Sequence, residues 1–107
     1  MAKKSVMKIV KDFIKAVKED GIRVKVAFLY GSYAMDKANE DSDIDIAVVS
    51  PDFGKDFFDE CVNLKRISEK IDFDISPRAY SLEEYQNAEQ SSFLYNEIIK
   101  KGKLIKV

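Results

Sequence analysis

The chain has 107 residues, 46% hydrophobic and 35% charged, with a net charge of −1. That describes one modest globular domain spanning residues 1–107, with a charge balance that neither marks nor excludes a nucleic-acid partner. With one cysteine, Cys61, and no histidine, the chain excludes an internal disulfide framework, Ser-His-Asp or Cys-His catalysis and an imidazole zinc site.

Residues 6–19 are predicted as a helix. Val6, Ile9, Val10, Phe13, Ile14 and Val17 recur at spacings of three and four, which is one face of a helix. Ser5 is placed to cap its start and Gly21 to end it. Lys4, Lys8, Lys11, Lys15 and Lys18 occupy the opposite face. They read first as a solvated surface and second as a contact for RNA or an acidic partner. Residues 22–30 (IRVKVAFLY) alternate and then turn continuously apolar, the pattern of a strand entering the core. Residues 42–50 (SDIDIAVVS) form a second strand, stopped by Ser50-Pro51.

Residues 55–70 are expected as a second helix, with Phe57, Phe58, Cys61, Val62, Leu64 and Ile67 as its buried stripe. Cys61 then reads as a core residue. Residues 71–80 (IDFDISPRAY) read as a third strand, with Pro77 bending it or limiting its hydrogen-bond ladder. Ser81 and Glu84 have capping-box spacing for a short helical turn. Residues 91–101 suggest a last helix ended by Gly102, and KLIKV a short edge strand. The order implies an α/β (α+β) domain, a small mixed sheet of three to four strands flanked by helices. No segment reaches the apolar length of a membrane span and the start shows no signal-peptide core, so the expected address is the cytoplasm.

Chemistry concentrates in residues 29–49 (LYGSYAMDKANEDSDIDIAVV). Alternate residues of a strand share a face, so Asp43 and Asp45 point one way while Ile44 and Ile46 enter the core. Two carboxylates on one strand face repel unless a cation lies between them, and a hard ion such as Mg²⁺ prefers oxygen ligands. Upstream, Gly31 permits a tight turn, and a helical turn starting near Ser32 presents N–H groups to an anion. One half of the stretch suits phosphates, the other their metal. Asp72 and Asp74 share a face of the third predicted strand. Either could complete the acid set, with Asp74 preferred.

The run GSYAMDKANEDSDIDIAVV resembles the signature of the DNA polymerase β-like nucleotidyltransferase superfamily: Gly-Ser, a short helix, then Ser-Asp-x-Asp on a strand. Length and element order are similar to its minimal nucleotidyltransferases, the MNT or MntA-like proteins. The resemblance implies a nucleotidyltransferase fold, with Gly31 and Ser32 on the triphosphate of ATP. Asp43 and Asp45 would hold Mg²⁺, and Asp74 would be the third carboxylate, helping to activate the attacking hydroxyl. It implies transfer of AMP from ATP to a hydroxyl with release of pyrophosphate. Many such proteins are antitoxins paired with a HEPN-domain toxin, some adding AMP to a tyrosine. The alternative is a catalytically degenerate module that inhibits its partner by binding alone. The chain departs from the family at Met35-Asp36, where many members carry a basic residue followed by glycine.

Overall fold

The computed structural model describes residues 5–39, 42–89 and 92–107. Lys4 of the lysine face, the acids Glu40 and Asp41, and the expected helix start at residue 91 lie outside them.

Helix α1 (Val6–Glu19) buries Val10, Phe13, Ile14 and Val17, the stripe its periodicity requires. Ser5 holds the N-cap position with extended backbone but its side chain makes no capping bond. Gly21 takes φ +90° after the helix, the left-handed turn that ends helices at glycine. On the outer face Lys8 pairs with Asp12 at 2.9 Å, as i,i+4 partners do.

Strand β1 (Val26–Tyr30) is shorter than the alternation over 22–30 suggested. Residues 22–25 are a lead-in held by Arg23, whose backbone N–H and guanidinium both donate to Asp52, the latter at 2.6 Å. That guanidinium holds the Asp52 carboxyl down at about 2. Strand β2 (Ile44–Ser50) has Ile44, Ile46, Ala47, Val48, Val49 and Ser50 buried, the near-continuous burial of a central strand. It ends where Ser50 Oγ accepts the N–H of Asp52 at 2.9 Å.

Helix α2 (Phe57–Glu69) starts at Asp56, whose side chain accepts from the N–H of Asp59. The helix is where the sequence indicates, but its buried face is not. Leu64, Ile67 and Ser68 are buried, while Phe57, Phe58 and Val62 are 54%, 73% and 51% exposed. The face that meets the sheet runs from Cys61 to Ser68, so the predicted stripe overruns the contact at its N-terminal end and at Val62. Cys61 is half-buried rather than core, and its Sγ accepts the N–H of Ala79 at 3.4 Å.

Strand β3 (Ile75–Ser81) begins four residues later than the pattern suggested. Residues 71–74 form a turn: Asp72 N–H donates to Ser68 O at 2.8 Å, and Asp72 Oδ1 accepts from Asp74 N–H at 2.8 Å. Phe73 is therefore 73% exposed and not a core partner of Ile75. Helix α3 (Leu82–Gln86) carries the full capping box of Ser81 and Glu84. The expected last helix is a π-helix, Leu94–Ile99, followed by the N–H of Gly102 donating to Ile98 O at 2.9 Å. Strand β4 (Lys103–Ile105) closes the order.

The sheet runs β3-β2-β1-β4. β1 is antiparallel to β2 and β4, and β2 is parallel to β3 with α2 as the crossover, as parallel neighbours require. One face packs Ile44, Ile46, Val48 and Ile75 against Phe13, Val17 and Leu64. The other packs Phe28, Tyr30, Ala47, Val49 and Tyr80 against Leu94 and Ile98. Pairing register puts Tyr30, Asp45 and Ser76 in one row across three strands. No helix among the described residues is long and apolar enough to cross a membrane.

Candidate active site

Gly31 follows the last residue of β1 and opens a 3₁₀ turn, Gly31–Tyr33. Its φ is +73°, a conformation that costs an L side chain about 1–2 kcal/mol. A Cβ there would also collide with Oδ2 of Asp45 and stand 3.2 Å from its Cγ. The glycine thus makes the turn and leaves room for the carboxylate. Met35 N–H donates to Gly31 O at 3.2 Å and Lys37 N–H to Ser32 O at 3.0 Å. The first N–H groups of such a turn have no acceptor within it and suit an anion. Asp36 is the one non-glycine residue with positive φ among those described, at 56°. The backbone shape expected of a family glycine is present with an aspartate in it.

Asp45 is half-buried on the sheet face away from α1. Burial raises its carboxyl above the usual range, the charge of Asp43 adds to this, and Arg78 opposes it. Asp43, two residues earlier, is exposed. Two hard oxygen donors from one strand, one of them difficult to ionise alone, are a suitable donor set for a small divalent cation.

The two acids of IDFDI separate in the structure. Asp72 is a turn residue, its carboxylate accepting from the N–H of Asp74. Asp74 stands next to the second strand, its carbonyl accepting Ile44 N–H at 2.8 Å, one register step from Ile44↔Ile75. It therefore lies opposite Asp43. No group of three or more metal-ligating side chains is gathered among the described residues. Gly31, Asp43 and Asp45 are brought together, while Asp74 is aligned with them without closing a three-acid cluster.

Of these residues Gly31 and Asp45 line a cleft of 720 Å³, together with Tyr30 and Arg78. Lys37 and Lys101 also border it, as do Met35, Phe57 and Phe93. Burial pushes the Tyr30 hydroxyl up to about 12, so it stays a neutral phenol. Phe93 meets the Tyr30 ring edge-on at 6.2 Å, and the Arg78 guanidinium lies 5.2 Å from the Phe93 centroid. Arg78 was not singled out from the sequence. The signal was there: Ser76 and Arg78 alternate on one face of the strand, and Ser76 stands in the row of Asp45, so both border the same cleft.

The mixed sheet has the nucleotidyltransferase fold, and the Gly31 turn meets the Asp45 carboxylate at its cleft. The chain matches the family model "Polymerase beta, Nucleotidyltransferase" over residues 11–107 and belongs to that family. No curated protein matches it. Among solved structures it is similar to a candidate nucleotidyltransferase from Sulfolobus solfataricus, with TM-score 0.65 and 18% identity over 97% of this chain and 89% of that one. It is similar to a toxin–antitoxin structure containing AMP-PNP, with TM-score 0.61 and 20% identity over 94% and 72%. A third is a Shewanella oneidensis tri-AMPylated HEPN toxin in complex with MNT antitoxin, with TM-score 0.56 and 19% identity over 94% and 71%. At such identities the likeness is one of fold.

Proposed function

We propose that residues 1–107 act as one Mg²⁺-dependent nucleotidyltransferase domain that moves AMP from ATP to a hydroxyl of a HEPN-type toxin, as its antitoxin in the cytoplasm. The observation that carries this reading is the packing of Gly31 directly against the Asp45 carboxylate. It supports reading the turn and the acid pair as one site. The neighbours containing AMP-PNP and an AMPylated HEPN toxin support the donor and the partner class.

In this reading the turn at Gly31 and Ser32 holds the terminal phosphates. Asp43 and Asp45 would hold Mg²⁺, which supplies charge stabilisation at the phosphates. Asp74, in the turn just before β3 and aligned with Asp43, accepts the proton of the attacking hydroxyl. The hydroxyl oxygen bonds to the α-phosphorus, the bond from that phosphorus to the bridging oxygen breaks, and its electron pair leaves with pyrophosphate. Orientation and preorganised charge carry most of the rate.

The test is transfer of label from ATP labelled at the α-phosphate, with Mg²⁺, to a HEPN protein encoded beside this chain. Label should pass to the partner, and Asp43→Asn or Asp45→Asn should abolish it. A second reading, inhibition by contact alone, is favoured by the open acid set and by Met35 in place of a basic residue. Inhibition of the partner without label, undiminished in both variants, would establish that second reading instead.

A further inference from the structure

The cleft needs positive charge that position 35 does not provide. A nucleoside triphosphate brings several negative charges to a site that already holds Asp43 and Asp45. Lys37 and Lys101 are exposed at the border of the cleft, and Lys101 is paired with Glu97 at 2.8 Å. Arg78 differs from both. It is half-buried, and among the described residues no carboxylate lies within 4.0 Å of its guanidinium nitrogens. Among the described residues its one hydrogen bond goes from Nη1 to Tyr80 Oη at a long 3.5 Å. A guanidinium has five N–H donors, so most of its capacity is open to the cleft.

Its position also indicates which phosphate it meets. Gly31 ends β1, Asp45 lies on the adjacent β2, and Arg78 lies on β3 beyond that. Arg78 is paired with Ala47, whose methyl leaves the long side chain free to reach back toward the Asp45 row. Phe93 supports the guanidinium from one side at 5.2 Å, a cation–π contact that fixes its plane. A triphosphate whose terminal groups rest at Gly31 and Ser32 has its α-phosphate farthest from that turn. That end lies over the acids, toward β3.

We propose that Arg78 binds the α-phosphate of the nucleotide from the β3 side, supplying the charge that Met35 lacks. The proposal rests on the nucleotidyltransferase reading above. It makes Arg78 a binding residue at the phosphorus where transfer occurs, opposite the turn that receives pyrophosphate.

Calorimetric titration with Mg²⁺ and either AMP-PNP or pyrophosphate tests this without a partner protein or turnover. Arg78→Gln should bind AMP-PNP about tenfold or more weakly than wild type, the loss expected for a charge-assisted contact. Pyrophosphate, which has no α-phosphate, should bind within twofold of wild type. Arg78→Lys keeps the charge without the planar fork and should fall between. Circular dichroism and melting confirm that both variants fold. The proposal is overturned if Arg78→Gln binds AMP-PNP as tightly as wild type, or if pyrophosphate affinity falls in parallel. It is also overturned if Arg78→Lys is as weak as Arg78→Gln, because stacking on Phe93 would then be the lost contact. Wild-type protein that binds neither ligand refutes the nucleotide reading itself, a result distinct from these.

Discussion

Asp45 shows how a functional side chain can oppose stability. Its carboxyl is raised in the folded protein by burial and by Asp43, so the native state holds that proton more tightly than the unfolded chain. Ionising it therefore costs stability as pH rises past the ordinary value and through the raised one. Asp45→Asn removes that cost. Without added metal its Tm at pH 7 should exceed that of wild type, while label transfer is abolished. Gly31→Ala should fail in the other direction. Left-handed strain and displacement of the Asp45 carboxylate together cost about 2–3 kcal/mol in urea unfolding, and activity is lost as well. Asp36 holds its left-handed φ with a residue type that tolerates it. Asp36→Gly should change stability by less than about 1 kcal/mol, whereas Asp36→Val should cost about 1–2 kcal/mol.

Among the elements, β3 is an edge strand whose outward N–H groups are all satisfied or absent, with Lys65 on its first carbonyls. Lys65 Nζ donates to Ile75 O at 2.6 Å and to Phe73 O at 3.1 Å. Pro77 has no N–H to leave bare, Ala79 N–H finds Cys61 Sγ, and Ser81 N–H finds Glu84 Oε1 at 3.0 Å. This is how a sheet edge avoids pairing with another chain. Lys65→Met should cost about 1 kcal/mol by lowering the urea midpoint without changing the slope. The proline that looked like a limit on the strand is compatible with full parallel pairing to β2, because its nitrogen faces outward. The helices show the complementary error. The periodicity of α2 located it in the chain, but Phe57, Phe58 and Val62 extend past the surface that β3 offers.

On the scale of the molecule, the Arg23–Asp52 pair ties the lead-in of β1 to the loop that leaves β2. The Asp52 carboxyl is lowered from 3.8 to about 2, so its contribution to stability is complete above pH 3.8 and lost as pH falls through about 2. Thermal melts of wild type and Asp52→Asn should therefore differ at pH 5 and converge at pH 2. Both partners of this pair are exposed enough that the difference will be small.

Much was legible in the chain itself. The α1 stripe, the order of elements, the Gly31-Ser32 turn, the capping box and the shared face of Asp43 and Asp45 all follow from local spacing, because helix and strand periodicity act over a few residues. What depended on packing could not be read this way. The 22–25 segment became a lead-in because Asp52 is 29 residues from Arg23. Asp72 became a turn residue, leaving Asp74 aligned with Asp43, because β3 starts where Ile44 N–H meets Asp74 O. Arg78 entered the cleft because a parallel crossover laid β3 beside β2 in the register Ala47↔Arg78. The sequence alone determined which residues we propose for phosphates and metal, since that choice rests on side-chain chemistry and local backbone shape. Tertiary structure decided which strands stand beside them, because register between distant segments is set by the shared burial of both faces of the sheet.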